Sequence, residues 1–128
     1  MKKFHTRDGM GVNLLRRSGI PTIIVTKEKT KIVRRWAKKM NIEHVYDGIQ
    51  DKESIAPIIM KKYSVKISEI GYIGDDINDI GLLKKVGFSA CPNDGIEQVR
   101  SIVNYVCEKK GGEGVFREVA DIFLRHNS

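Results

Sequence analysis

Short apolar runs alternate along the chain with longer segments in which apolar residues recur every three or four positions. The runs are rich in β-branched and aromatic residues, and this composition predicts strands. The predicted strands lie at 22–26, 45–46, 70–73, 88–91 and 105–107. The periodic segments predict amphipathic helices. These helices are expected at 12–17, 29–40, 54–63, 79–85, 96–101 and 115–124.

The alternation of strands and helices predicts the fold class. Because the connections are short, consecutive strands are expected to lie parallel, with a helix crossing over the sheet between them. We therefore expect an α/β fold with a doubly wound, mostly parallel, Rossmann-like sheet and helices on both faces. A length of 128 residues is enough for a hydrophobic core, so residues 1–128 are predicted to form a single domain.

Composition and charge argue against two classes of partner. The chain is 41% apolar and 30% charged, and its net charge is +7. The basic residues are dispersed among acidic ones, which indicates solvated faces rather than a nucleic-acid-binding patch. No apolar run is long enough for a signal peptide or a membrane span, so we expect a cytoplasmic protein.

Cys91 and Cys107 have no metal-binding spacing and are predicted to be buried, reduced thiols.

The densest group of chemically active side chains lies between Gly74 and Asp79. This stretch reads Gly-Asp-Asp-Ile-Asn-Asp and follows the predicted strand at 70–73, at the sheet edge where open α/β folds bind ligands. The carboxylates of Asp75, Asp76 and Asp79 repel one another unless a cation or hydrogen-bond donors lie among them. Oxygen ligands favour Mg²⁺. The alternative is an acidic turn in which Asp79 caps the next helix.

Two further polar residues follow predicted strands at the same sheet edge. Thr26 ends the strand at 22–26, and its hydroxyl can hold a phosphate oxygen, although threonine is also a common strand residue. Lys52 follows the next strand at the start of a helix, where a cation opposes the helix dipole. The alternative for Lys52 is an ordinary surface lysine. A hydroxyl, an ammonium group and metal-bound carboxylates can together bind and polarise a phosphoryl group.

Three segments of the chain resemble the haloacid dehalogenase superfamily. They are Phe-His-Thr-Arg-Asp-Gly-Met-Gly at 4–11, Gly-Tyr-Ile-Gly-Asp-Asp at 71–76, and Lys-Gly-Gly-Glu-Gly at 110–114 followed by Arg117-Glu118. Within the superfamily, the chain is similar to small capless phosphatases that act on 3-deoxy-D-manno-octulosonate 8-phosphate and related sialic-acid phosphates. It also resembles the phosphatase-like domain fused to some acylneuraminate cytidylyltransferases.

The resemblance implies a Mg²⁺-dependent phosphatase for a phosphorylated sugar acid, assembled as a homotetramer. The implied metal-binding residues are Asp75, Asp76 and Asp79. The implied catalytic residues are Lys52 and Asp76. The implied phosphate- or substrate-binding residues are Thr26, Lys52, Arg7 and Arg117. Arg117 and the glycine-rich segment before it are expected at a subunit boundary. The alternative for Arg117 is an ion pair on its own helix.

Two departures from the family pattern change the expected activity. Motif two is usually Thr-Gly-Arg in this group, but here it reads Thr-Lys-Glu at 26–28. The family's first strand carries an Asp-x-Asp pair whose first aspartate attacks phosphorus, and these 128 residues contain no such pair. We therefore expect a domain truncated at its N-terminus relative to the family, without the first strand and with little or no turnover. The alternative is a non-catalytic assembly domain associated with an acylneuraminate cytidylyltransferase.

Overall fold

The computed structural model describes residues 19–25, 35, 37–39, 42, 44–46, 48–111 and 113–126. Its strands are β1 (Ile23–Val25), β2 (His44–Tyr46), β3 (Gly71–Ile73), β4 (Phe88–Cys91) and β5 (Tyr105–Val106). Its bounded α-helices are α1 (Ile55–Tyr63), α2 (Ile80–Lys85), α3 (Glu97–Arg100) and α4 (Val115–His126). Short 3₁₀ turns occupy Lys52–Ser54, Ile67–Glu69 and Ile77–Asp79. The chain divides into two compact units, one formed by 1–49 with 112–128 and the other by 50–111.

The first unit contains β1, β2 and α4. The two strands pair in parallel, with Ile24 opposite Val45. Helical backbone is also present at Arg35 and 37–39. Ala37 and Ile42 are buried, and Val45 and Phe116 pack against them. This apolar cluster joins strand β2 to the first turn of α4.

The second unit contains a parallel sheet in the order β3–β4–β5. Tyr72 lies opposite Ser89, and Ala90 lies opposite Tyr105. The core of this unit is built on Leu83 from α2, Cys91 from β4 and Val99 from α3, all of which are buried. The parallel strands therefore place the residues that follow β3, β4 and β5 at one edge of the sheet.

The predicted pattern of parallel strands separated by helices is confirmed. The helices predicted at 54–63, 79–85, 96–101 and 115–124 are present as α1 to α4, and 3₁₀ turns precede α1 and α2. The helix predicted at 12–17 lies outside the described residues, as does most of the one predicted at 29–40. The single-domain organisation stays a prediction.

Cys91 and Cys107 are buried thiols, as predicted. Burial raises the pKa of the Cys91 thiol above its ordinary value. Among the described residues, no helix is both long and apolar enough to cross a bilayer.

Candidate functional site

The candidate site begins where β3 ends. Gly74 is buried, whereas Asp75 and Asp76 are exposed at the carboxyl end of the strand. The amide of Gly74 still donates to the carbonyl of Ala90 in β4, at 3.1 Å, so the turn starts from a fixed point of the sheet. A side chain at Gly74 would place its Cβ 2.6 Å from the Cβ of Asp79. Glycine is therefore required for Asp79 to pack against this turn.

Asp79 holds the turn together from inside. Asp79 is only 1% exposed, and its carboxylate accepts four hydrogen bonds. Oδ1 accepts from Lys52 Nζ at 2.7 Å and from the Tyr72 hydroxyl at 2.6 Å. Oδ2 accepts from the amides of Asp75 at 3.0 Å and Asp76 at 3.1 Å. One buried carboxylate thus fixes a lysine, a tyrosine and the backbone of the two exposed aspartates.

The electrostatics of this cluster keep Asp79 charged and Tyr72 neutral. Burial alone would raise the pKa of Asp79, but the hydrogen bond and charge of Lys52, with the hydrogen bonds donated by Tyr72 and the amide of Asp75, hold that pKa below its ordinary value. Burial, and then the adjacent charge of Asp79, raise the pKa of Tyr72 above its ordinary value. The phenol therefore remains a hydrogen-bond donor to a carboxylate that remains ionised.

Lys52 reaches Asp79 from a well-defined 3₁₀ turn. The side chain of Asp51 accepts from the amide of Glu53 at 3.2 Å, and the hydroxyl of Ser54 donates to the carbonyl of Asp51 at 2.6 Å. Lys52 is only 8% exposed. The carboxylate of Asp79 supplies the negative charge that offsets a lysine at a helix start. The interpretation of Lys52 as an ordinary surface lysine is wrong.

The three predicted metal-binding aspartates occupy different environments. Asp76 is the N-cap of the Ile77–Asp79 turn, and its side chain accepts from the amide of Ile77 at 2.7 Å. Asp75 is exposed beside it. Both oxygens of Asp79 are engaged by protein donors, which favours a structural role in the acidic turn over its predicted role as a metal ligand. In the part of the chain that the structure describes, no three or more His, Cys, Asp or Glu side chains are grouped to hold a metal ion.

The remaining predicted site residues fall elsewhere. Thr26 and Arg7 lie outside the described residues. Arg117 lies in α4, where its Nε donates to both carboxylate oxygens of Asp121, at 3.0 and 3.1 Å, one helical turn along. This is the ion pair on its own helix that formed the alternative for Arg117, and it argues against a phosphate-binding role.

Tyr72 is a site residue that the sequence reasoning missed. Its hydroxyl shares Asp79 Oδ1 with Lys52. The strand pattern indicates a tyrosine two positions before Gly74, on the alternate face of β3 from Ile73, but no motif marks the hydroxyl as part of the site. The hydrogen bond between the Tyr72 hydroxyl and Asp79 can be recognised only from the folded structure.

A sequence profile of the haloacid dehalogenase-like hydrolases matches residues 16–119. This chain belongs to that family. This chain is 32% identical over 124 residues to the 3-deoxy-D-manno-octulosonate 8-phosphate phosphatase KdsC of Yersinia pestis. The alignment covers 97% of this chain but 66% of the relative, so the chain spans just under two thirds of the relative's length.

Solved structures of haloacid dehalogenase-like proteins share the fold. The 3-deoxy-D-manno-octulosonate 8-phosphate phosphatase of Moraxella catarrhalis, in complex with magnesium ion, phosphate ion and a KDO molecule, has a TM-score of 0.93 and 35% identity. That match covers 98% of this chain and 72% of the other. The cobalt-bound deoxy-D-mannose-octulosonate 8-phosphate phosphatase of Haemophilus influenzae has a TM-score of 0.92 and 31% identity, with 98% and 73% covered. The predicted fold class and the resemblance to this group of the superfamily are confirmed.

Proposed function

We propose that this chain carries the phosphate-binding and metal-binding edge of a Mg²⁺-dependent phosphatase that acts on a phosphorylated sugar acid of the 3-deoxy-octulosonate 8-phosphate type. The observation that carries this proposal is the buried Lys52–Asp79 pair, which holds the Asp75–Asp76 turn at the carboxyl end of a parallel sheet. The relatives that match 97% of the chain and are named as phosphatases of this substrate support the assignment.

The donor set fits Mg²⁺ rather than a metal that needs a complete protein cage. Mg²⁺ commonly keeps several waters and takes one or two protein carboxylates together with substrate phosphate. Asp75 and Asp76 provide two exposed carboxylates on a turn whose amides are held by Asp79. We propose Asp75 as the principal ligand with Asp76 beside it. A bound Mg²⁺ would supply charge stabilisation at the phosphoryl oxygens.

The chain's own residues then have separate tasks. Lys52 presents an ammonium group that is already oriented by Asp79, so it can donate a further hydrogen bond to a phosphate oxygen without first being ordered. Asp79 keeps the two aspartates in register through their amides. With Mg²⁺ bound at the Asp75–Asp76 turn, the metal ion and the preorganised Lys52 ammonium would together offset the negative charge of a dianionic phosphate monoester.

The nucleophile is the part of the reaction that these 128 residues leave open. A phosphoaspartyl mechanism needs an attacking carboxylate, and the sequence contains no Asp-x-Asp pair. We therefore propose that the 128-residue polypeptide, expressed by itself, turns over sugar-acid phosphates slowly. Loss of a covalent nucleophile commonly lowers the rate by about 10⁴- to 10⁶-fold. The assembly-domain alternative rests on the same missing pair and on the altered motif two, and the matched relatives add no support to it.

Assembly and location are proposed on the family resemblance. We propose a homotetramer in the cytoplasm, with a small anionic sugar phosphate as partner and with neither nucleic acid nor membrane involved. Sedimentation velocity over a hundredfold range of concentration tests the assembly. A monomer at every concentration would contradict it.

The function is tested by separating binding from turnover. Titration calorimetry should detect Mg²⁺ binding that Asp75→Asn removes, and inorganic phosphate binding that Lys52→Met removes. Phosphate release from 3-deoxy-octulosonate 8-phosphate is then compared between the 128-residue chain and a version extended by a family-like Asp-x-Asp strand. Turnover by the extended version that needs Mg²⁺ and Asp75 supports a phosphatase. An extended protein that folds, binds neither Mg²⁺ nor phosphate and releases none favours the assembly alternative.

A further inference from the structure

Glu53, the neighbour of Lys52, lies across helix α2. The side chain of Glu53 covers Gly81 so closely that a Cβ at Gly81 would lie 2.7 Å from Glu53 Cγ and would collide with its Oε1. Glycine is a poorer helix former than alanine. The Glu53 side chain occupies the space that a methyl group at Gly81 would take, so alanine there would have to displace that side chain.

Lys85 holds the far end of the same glutamate. It lies one turn beyond Gly81 on α2, and its Nζ contacts Glu53 Oε2 at 2.6 Å. The hydrogen bond that Lys85 donates to Glu53 raises the pKa of Lys85. The side chains of Lys85 and Glu53 are 59% and 39% exposed, so the pair by itself adds little to global stability. Its consequence is geometric, because it ties the Lys52–Ser54 turn to α2.

The turn is therefore attached to its surroundings through two consecutive residues. Lys52 reaches Asp79, which lies immediately before α2, and Glu53 reaches Gly81 and Lys85 within α2. Two attachments from adjacent residues restrict both the position and the rotation of a short turn. A turn attached through Lys52 alone would be less restricted in its orientation, even though the buried residue Ile55 follows it directly.

We propose that Glu53, Gly81 and Lys85 form a clamp that positions Lys52 for phosphate. All three are positioning residues, because Glu53 belongs to the Lys52 turn and Gly81 and Lys85 contact Glu53. The part that concerns phosphate rests on the function proposed above, whereas the hold on Lys52 is a property of the fold.

The test compares two neighbouring lysines of α2. Lys85→Met removes the clamp, whereas Lys84→Met removes an exposed charge from the same last turn and so has the same effect on the helix dipole. Reductive methylation of the full chain, followed by peptide mass spectrometry, measures how often the Lys52 amine leaves Asp79. We expect Lys85→Met to speed methylation of Lys52 roughly two- to fivefold, the factor expected for loss of an exposed ion pair. Lys84→Met should leave the methylation rate of Lys52 unchanged. Lys85→Arg keeps a positive charge opposite Glu53 and should also give the wild-type rate.

Gly81→Ala gives a second route to the same outcome. The new methyl group displaces the flexible end of Glu53 while alanine favours the helix. If the Glu53 contact has no effect on Lys52, the Gly81→Ala protein should be at least as stable as wild type, and Lys52 should be methylated at the wild-type rate. If the clamp holds Lys52, methylation of Lys52 should be faster in Gly81→Ala, even though alanine is the better helix former.

The affinity for inorganic phosphate, measured by calorimetry on the same proteins, separates the two proposals. A fall in phosphate affinity that follows the Lys52 rate across Lys85→Met, Gly81→Ala and Lys85→Arg supports the clamp and its task. Equal Lys52 rates in Lys85→Met and Lys84→Met would overturn the clamp. If wild type binds no phosphate while the Lys52 rate still responds to Lys85→Met, the clamp stands and the proposed function fails.

Discussion

Lys52→Met is the substitution whose effect the structure predicts most directly. The side chain of Lys52 is 10% exposed and that of Asp79 is 1% exposed, and their charged atoms lie 2.7 Å apart. Methionine keeps an unbranched side chain of similar length but removes the ammonium group. The carboxylate of Asp79 would then stay buried without a compensating positive charge.

The size of the loss follows from what remains around Asp79. Removing one partner of a buried ion pair commonly costs about 3–5 kcal/mol, because the other charge is left uncompensated. Asp79 would keep the Tyr72 hydroxyl and the amides of Asp75 and Asp76 as donors. We therefore expect the lower end of that range, about 3 kcal/mol. For a chain of this length that corresponds to a fall in melting temperature on the order of 10 °C.

The assay is urea unfolding followed by far-ultraviolet circular dichroism. Lys61→Met is the matched control, because Lys61 is exposed on α1 and its loss should change the free energy of unfolding by less than about 0.5 kcal/mol. Adding Asp79→Asn to Lys52→Met should recover part of the loss, because the buried charge is then gone. A loss below about 1 kcal/mol for Lys52→Met would put the pair in the range of exposed ion pairs and would refute the reasoning.

Three further predictions test the same unit of the chain. Tyr72→Phe should cost about 1.5 kcal/mol in urea unfolding, since it removes one hydrogen bond to a charged carboxylate; no change would show that the hydroxyl contributes nothing. Gly87→Ala should destabilise by more than about 2 kcal/mol, because its Cβ would collide with the carbonyl of Ser68, whereas Gly111→Ala, with only ordinary contacts, should be tolerated. In metal-free buffer, the stability that ionised Asp79 contributes should be fully present above its ordinary pKa of 3.8 and lost as the pH falls below it. The difference in stability between wild type and Asp79→Asn should therefore shrink as the pH falls below 3.8, and a constant difference would contradict the lowered pKa.

Strands and their parallel arrangement were within reach of sequence reasoning. Each observed strand lies inside its predicted range or within one residue of it, because β-branched and apolar runs are local properties. The position of Asp75 at the carboxyl end of β3 was also predictable, since open α/β folds bind ligands where parallel strands end. Helix starts were less predictable, because the turns at Lys52–Ser54 and Ile77–Asp79 are 3₁₀ rather than α-helical.

The roles within the aspartate group were not predictable to the same degree. Asp75, Asp76 and Asp79 have the same side chain and lie within five residues, so local sequence alone assigns them similar chemistry. Burial separates them: two are exposed, and the third is enclosed by a lysine 27 residues away in the chain. A contact of that separation depends on how the Lys52 turn meets the start of α2, which no local pattern encodes.

Gly81 shows where a sequence pattern does carry information about a distant contact. A glycine inside an otherwise regular helical segment is locally unfavourable, and such local conflicts commonly mark a packing or functional requirement. Here the Glu53 side chain occupies the space beside Gly81, and the clamp proposed above links that contact to Lys52. The conflict could have been recognised at Gly81 from the sequence, but its partner could not, because several acidic residues precede α2 and only the fold selects Glu53. An unfavourable residue in a helix can therefore be recognised from the sequence, but the side chain that packs against it can be identified only from the tertiary structure.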